Sequence, residues 1–316
     1  MKGIITDMRI EHDDIHSSKV IKEFVLNAGA TVVGIAPASA FNKAPIGHKA
    51  TDIIPDAKSV IVFGIKLVSG AVNWPELVWK RSRQTIIDSW RVYDQCCFDS
   101  VNMKLEQIGM DLAIAFEVEN SQSIFFPGST DMTVEEINSP RFFGDMDFPQ
   151  ILDQEKLDRI GDSADEDVSD TFHKRYSGVF SFRHAAVAAG LATLGANNLA
   201  LHPVFGPRIR FNVVITDCKI DHYDQPLNEP VCLYDNGCRI CISTCPYHVF
   251  QHLKRFEFAG LSHPLCKMEG NCYYNSYACG GTCLQVCPAG TGDKQLKKSV
   301  IKRLSDICLR ENISDH

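Results

Sequence analysis

No run of apolar residues in this 316-residue chain approaches the ~18 that a membrane-spanning helix needs. No two arginines are adjacent anywhere, and Met1-Lys-Gly-Ile-Ile-Thr-Asp7 holds no apolar stretch of the kind that opens an export signal. A cytoplasmic protein is the expectation. Positive charge is also scarce: 32 Lys and Arg against 39 Asp and Glu leave a net charge of −7. That balance gives no general attraction for a phosphate backbone, so nucleic acid is a poor candidate partner. Internal repeats are missing apart from one doubled cysteine pattern. With 45% apolar and 22% charged residues the chain can bury a large core, and its length suits one sizeable domain with a smaller one beside it.

Cysteine is what the chain has in excess. Of thirteen, all but Cys96, Cys97, Cys218 and Cys308 lie between Cys232 and Cys287. One run reads Cys232, then Cys238-Arg-Ile-Cys241-Ile-Ser-Thr-Cys245-Pro246, and the other reads Cys279-Gly-Gly-Thr-Cys283-Leu-Gln-Val-Cys287-Pro288. Thiolates two or three residues apart can bend around one corner of a metal cluster without strain. A Cys-Pro pair turns the chain away and leaves its sulfur facing a neighbour. Zinc and disulfides are the competing uses, but structural zinc sites rarely end both arms in C-x3-C-P. Many free thiols suit a reducing compartment, and a host that keeps oxygen low.

The two runs resemble those of a two-cluster bacterial ferredoxin, where three cysteines bind one cubane and the fourth, before the proline, crosses to the other. The resemblance implies two 4Fe-4S clusters. Cys232, Cys238, Cys241 and Cys287 would hold one. Cys245, Cys279, Cys283 and either Cys266 or Cys272, with Cys272 preferred, would hold the other. Two gaps depart from the standard run, Cys232 to Cys238 and Cys279 to Cys283, both being longer.

Upstream, Val20, Ile21, Phe24, Val25 and Ala28 recur at helical spacing, with Gly29 where a left-handed cap is wanted, and Thr31–Ile35 reads as a strand. Val60–Ile65 is a short β-branched run suited to a buried strand, which begins an α/β layer. From Thr85 to Met110 the apolar spacing predicts one long helix ending near Gly109, carrying Cys96 and Cys97 as core residues. Leu112–Phe116 and Ser123–Phe126 read as strand and loop entrance. Asp131 to Asp170 is an irregular acidic insertion, within bounds of about 127 to 175, that could fold over a site as a lid. Phe180 to Gly195 predicts an Ala-rich helix closing on glycine. Asn197–His202 and Arg208–Thr216 read as strands around the turn Pro203–Pro207. The polar segment Asp221–Pro230 marks a boundary between residues 1–226 and 227–316, and residues 293 to about 310 predict a last helix.

Four segments in this order, Ile54-Pro-Asp-Ala-Lys-Ser-Val-Ile-Val-Phe-Gly64, Arg183-His-Ala-Ala-Val-Ala-Ala-Gly-Leu-Ala-Thr-Leu-Gly-Ala-Asn-Asn-Leu199, Phe205-Gly-Pro-Arg-Ile-Arg210 and the cysteine arms, resemble the epoxyqueuosine reductase and reductive dehalogenase superfamily. The resemblance covers most of residues 17 to 290 outside the acidic insertion. It implies a nitroreductase-like α/β domain that buries a base-off corrinoid, cobalamin, followed by a ferredoxin-like domain. It further implies a cytoplasmic oxidoreductase in which two 4Fe-4S clusters pass electrons to the cobalt and a small organic molecule is reduced, with ferredoxin or flavodoxin as donor. Arg183, His184, Gly195, Ala196, Asn197, Asn198, Arg208 and Arg210 fall at the positions expected beside the corrinoid. Tyr176, His184 and Asp170 are the candidate proton donors.

There is no D-x-H-x-x-G cobalt-ligand motif, but members of this superfamily bind the corrinoid without one. Two departures matter. Gly178-Val-Phe-Ser-Phe-Arg183 stands where epoxyqueuosine reductases carry an aspartate donor. The chain also lacks the extension that helps those enzymes hold transfer RNA, which moves the expected substrate away from tRNA. The alternative reading is an electron-transfer or corrinoid-reactivating protein, favoured by Lys294, Lys297, Lys298, Lys302 and Arg303 near the end of the chain.

Overall fold

A computed structural model describes residues 15–44, 47–72, 92–128, 180–245, 254–258, 261–265 and 282–290. The acidic insertion, the basic stretch after Cys287 and the first part of the expected long helix lie outside the described residues.

Two strands set the frame. β1 (Val32–Pro37) pairs antiparallel with β2 (Ser59–Lys66), which pairs antiparallel with β6 (Ile209–Thr216), and β3 (Ser123–Phe125) closes the far edge, giving the order β1-β2-β6-β3. Side chains alternate across a strand, so β2 divides its apolar residues between two cores. Ile61 and Phe63 join α1 (Ser18–Asn27) and α4 (Ser100–Val118) on one face. Val60 and Val62 join α5 (Phe182–Ala188) and the turns around α2 (Ala50–Ile53) on the other. The result is a mixed α/β fold with helices on both faces of an antiparallel sheet. Along β6 only Arg210 is partly exposed. Its polar members are satisfied internally: Asn212 Nδ2 donates to the Phe126 carbonyl (2.8 Å) and Thr216 Oγ1 to that of Gln122 (2.9 Å).

The helix expected to stop near Gly109 runs on to Val118, through the Leu112–Phe116 segment that reads as a strand. Val101, Leu105, Ile108, Leu112 and Phe116 are all buried at three- and four-residue spacing, so the helical stripe continues past the glycine. Gly109 is there because the strand comes close: a Cβ on it would sit 3.0 Å from the Phe125 Cβ. A π-helical stretch, Asp94–Asp99, precedes α4 and carries buried Cys97 and exposed Cys96. A short helix, α3 (Ser69–Val72), follows β2.

The Ala-rich helix is shorter than its composition implies. α5 ends at Ala188, and Gly190 (φ +69°) takes the left-handed position while the Leu191 N–H donates to the Ala186 carbonyl (2.8 Å). Gly195, expected as the closing glycine, instead lies in the turn of a hairpin formed by β4 (Thr193–Leu194) and β5 (Ala200–Leu201). Asn197–His202 is therefore turn plus a two-residue strand. Beyond β6 the chain runs back along the sheet edge. Asp224 accepts from the Ile35 N–H (2.8 Å) and from Lys22 Nζ (2.7 Å), tying the expected boundary segment to β1 and α1. The cysteine arms contribute α6 (Ile240–Ser243) and α7 (Thr282–Val286), which pack together, and a separate hairpin of β7 (Lys254–Phe258) with β8 (Leu261–Leu265) lies between them in sequence.

Candidate functional site

The β4–β5 hairpin carries the site. The Asn198 N–H donates to the Gly195 carbonyl (2.9 Å) and the Gly195 N–H to that of Leu199 (2.9 Å), closing a turn in which Asn198 adopts φ +59°. Asparagine tolerates that left-handed conformation better than most residues. From α5, Arg183 reaches across to donate to the Asn198 carbonyl (2.6 Å), and burial lowers the pKa of its guanidinium. The Val231 N–H donates to Thr193 Oγ1 (2.9 Å), which lays the first cysteine arm alongside the hairpin.

Cys232, Cys238, Cys241 and Cys287 then ring a cavity of about 340 Å³, counted out to its open mouth, against Ala196, Asn197 and Leu201 of the hairpin. The long gap between Cys232 and Cys238 is absorbed by a turn: the Cys238 N–H donates to the Leu233 carbonyl (3.0 Å), and Gly237 supplies φ +89°. Arg239 stacks on Tyr234, 3.6 Å from its ring centroid, and donates to the carbonyls of Tyr234 and Cys238, which stiffens the same turn. The Ala196 N–H points at Cys232 Sγ (3.4 Å), and Asn197 Nδ2 at the Cys283 carbonyl (3.4 Å).

This ring is unlike a chelate for one ion. Among the described residues no three His, Cys, Asp or Glu side chains converge tightly enough to hold a single metal. Burial first, then the neighbouring Cys287, Cys232 and Cys238, pushes the Cys241 thiol up to about 12. Burial likewise raises the Cys287 thiol, and Arg208 works in the opposite direction. Burial and the neighbouring sulfurs disfavour the bare thiolates of Cys241 and Cys287, and a cationic inorganic core, which binds the thiolate form, would displace their protons. The residues present therefore fit a cluster with one ligand at each corner.

The remaining expected residues are spread wider. Cys245 and Cys283 are only partly buried and do not line this cavity; Cys266, Cys272 and Cys279 lie outside the described residues, as do Tyr176 and Asp170. His184 is buried in the first turn of α5 and hydrogen-bonded through Nδ1 to Ser181 Oγ (2.6 Å). Arg210 stacks over Phe98 (4.3 Å to the centroid) and donates from Nε to Asn102 Oδ1 (2.8 Å). Gly195 leaves no room for a side chain: a Cβ there would meet Asn197 Oδ1 at 2.5 Å and Leu201 Cδ1 at 2.8 Å, both part of the protein's own hairpin. Asn198 differs from these, because its buried Oδ1 has no hydrogen-bond partner among the described residues. An acceptor left so costs about 1–3 kcal/mol, and a ligand donor would relieve it.

Arg208 is the residue whose role the sequence did not disclose. Its guanidinium donates to four backbone carbonyls of the second cysteine arm, those of Leu284, Cys287, Ala289 and Gly290. Beside it Gly206 (φ +59°) meets Gly290 (φ +70°) so closely that a Cβ on either would fall on the other's backbone or its neighbour's. The only sequence signal is a glycine in each of two turns, Phe205-Gly206-Pro207 and Pro288-Ala289-Gly290.

No protein-family model and no curated protein sequence matches the chain. Solved structures do. The fold is similar to that of reductive dehalogenases. An N-terminally tagged catabolic reductive dehalogenase aligns at a TM-score of 0.54 and 15% identity over 96% of this chain and 37% of its own. The complex of such an enzyme with 3-bromo-4-hydroxybenzoic acid aligns at 0.51 and 15% identity, over 93% and 35%. An epoxyqueuosine reductase from Streptococcus thermophilus aligns at 0.44 and 13% identity, over 86% and 65%. The likeness to the dehalogenases is one of fold, and the chain spans little more than a third of their length. No helix among the described residues is long and apolar enough to cross a membrane.

Proposed function

We propose that this chain is an oxidoreductase that passes electrons through two 4Fe-4S clusters to a corrinoid and so reduces a small organic molecule. The observation that carries the reading is the ring of Cys232, Cys238, Cys241 and Cys287 set against the α/β domain of a fold similar to reductive dehalogenases. When bound, the clusters supply one-electron transfer and the corrinoid a strongly reducing cobalt centre. The protein's part is placement. The four cysteines would hold their group against the turn that carries Ala196 and Asn197, at the face of the α/β domain. The N–H of Ala196 faces Cys232 Sγ, and hydrogen bonds to ligand sulfurs raise a cluster's potential. Asn198 offers a buried acceptor that an amide-bearing corrin rim can satisfy. Tyr176 and Asp170 are the proposed proton donors, with His184 a third candidate whose Nδ1 is engaged by Ser181.

Anaerobic reconstitution with iron and sulfide, followed by titration with cob(II)alamin under electron paramagnetic resonance, tests the proposal. The expected result is about eight irons per chain and a cobalt signal without the nitrogen splitting of the free cofactor. Stoichiometric zinc with little iron overturns the clusters. Full iron without a base-off cobalt signal overturns the corrinoid and makes an electron-transfer protein the better account.

A further inference from the structure

We propose that Arg208 is a positioning residue for the four-cysteine site, fixing the Cys287 arm in place and setting the reduction potential of the cluster held there. This rests on the reading that those cysteines bind a 4Fe-4S cluster. Arg208 stands just ahead of β6, and its Nη1 donates to the carbonyls of Leu284 (3.1 Å) and Cys287 (3.2 Å). Its Nη2 donates to those of Ala289 (2.6 Å) and Gly290 (2.6 Å). These carbonyls belong to the end of α7 and the turn after it, where a helix leaves its last acceptors without partners of its own. A planar guanidinium with five donors can serve four diverging carbonyls; an ammonium with three cannot.

Cys287 is the one ligand of the ring that comes from the second arm, so the geometry of the ring depends on where that arm sits. The Gly206 and Gly290 backbones are in contact beside Arg208, leaving the arm no room to approach in another register. Through its hydrogen bond to the Cys287 carbonyl (3.2 Å) the same guanidinium places a positive charge beside that buried residue, where a charge interaction is stronger than in water. Reduction adds one electron to the cluster and makes it more negative, so a fixed cation nearby favours the reduced state and raises the potential.

The test compares reconstituted wild-type protein with Arg208→Gln and Arg208→Lys by iron content, rate of iron release to a chelator, and potentiometric titration of the cluster signals with dithionite. Arg208→Gln is expected to release iron at least about tenfold faster, the ratio that 1.4 kcal/mol represents, and to lower the potential of one cluster signal. Arg208→Lys is expected to recover most of the potential, because the charge remains, but not the slow release, because the fork does not. A Gln variant with wild-type release and wild-type potential overturns the inference while leaving the clusters standing. Wild-type protein that takes up no iron overturns the cluster reading and this inference with it. If Arg208→Gln does not fold, Arg208→Lys decides alone: faster release at near wild-type potential supports the role, and unchanged release overturns it.

Discussion

Cys97 shows how a single buried thiol ties stability to pH. Burial, aided by neighbouring Cys96, raises its pKa from 9.0 to about 11, with a backbone hydrogen bond at Val68 and the charge of Arg210 partly opposing the shift. A raised thiol pKa means that the folded protein favours the protonated form more than the unfolded chain does. The contribution is complete below pH 9 and disappears as pH climbs through about 11. Denaturant unfolding across that interval should show a loss on the order of 1–3 kcal/mol from this group. Cys97→Ala, although less stable at neutral pH, should follow a flatter curve over the same interval, and an equal slope in both proteins would count against the assignment. A second residue-scale expectation concerns Gly206. With φ at +59° and the Ala289 carbonyl where a Cβ would go, Gly206→Ala should destabilise the fold by about 1–3 kcal/mol. It should also release cluster iron faster, which a chelator assay on reconstituted protein would read directly.

At the scale of elements, the sequence was legible wherever apolar spacing alone decides the structure. α1, β1, β2 and β6 stand within a residue or two of their expected places, since each buries apolar residues against the two cores, whereas Ser123–Phe125, read as the entrance to a loop, pairs with β6 as strand β3. The errors came where a glycine had two possible meanings. Gly109 reads as a helix end but is a point of close strand approach, and Gly195 reads as a cap but belongs to a hairpin turn, while Gly190 is the cap. For Gly109 nothing local distinguishes the two, because Phe125 comes from a strand beyond the helix, while Gly195 is decided by Asn197 and Leu201 of its own hairpin. The segment after β6 was read as a polar boundary on composition, yet Asp224 fastens it to β1. Asp224→Ala should leave the Ile35 N–H without its side-chain acceptor and Lys22 without its ion pair, at a cost of about 1–3 kcal/mol. Hydrogen exchange at Ile35 should quicken accordingly, and unchanged protection there would show that the Asp224 side chain is not what holds the segment to β1.

Across the whole molecule, cysteine is a residue type that stands out in a sequence, and the ferredoxin resemblance singled out Cys232, Cys238, Cys241 and Cys287 as one set. Cys287 was grouped with Cys232, Cys238 and Cys241 on the rule that a cysteine before proline crosses over, and the fold places those four around one cavity. Arg208 could not be read the same way, because its partners are carbonyls, which every residue possesses. Its value lies in where two distant stretches of backbone meet. That meeting has a consequence for evolution and for engineering. The α/β domain and the cysteine module touch main chain to main chain at Gly206 and Gly290, with one arginine from the first reading only the backbone of the second. Such a joint ignores side-chain identity on the arm but tolerates no added bulk. Modules from different parents should therefore be exchangeable only when both glycines and the arginine come with them.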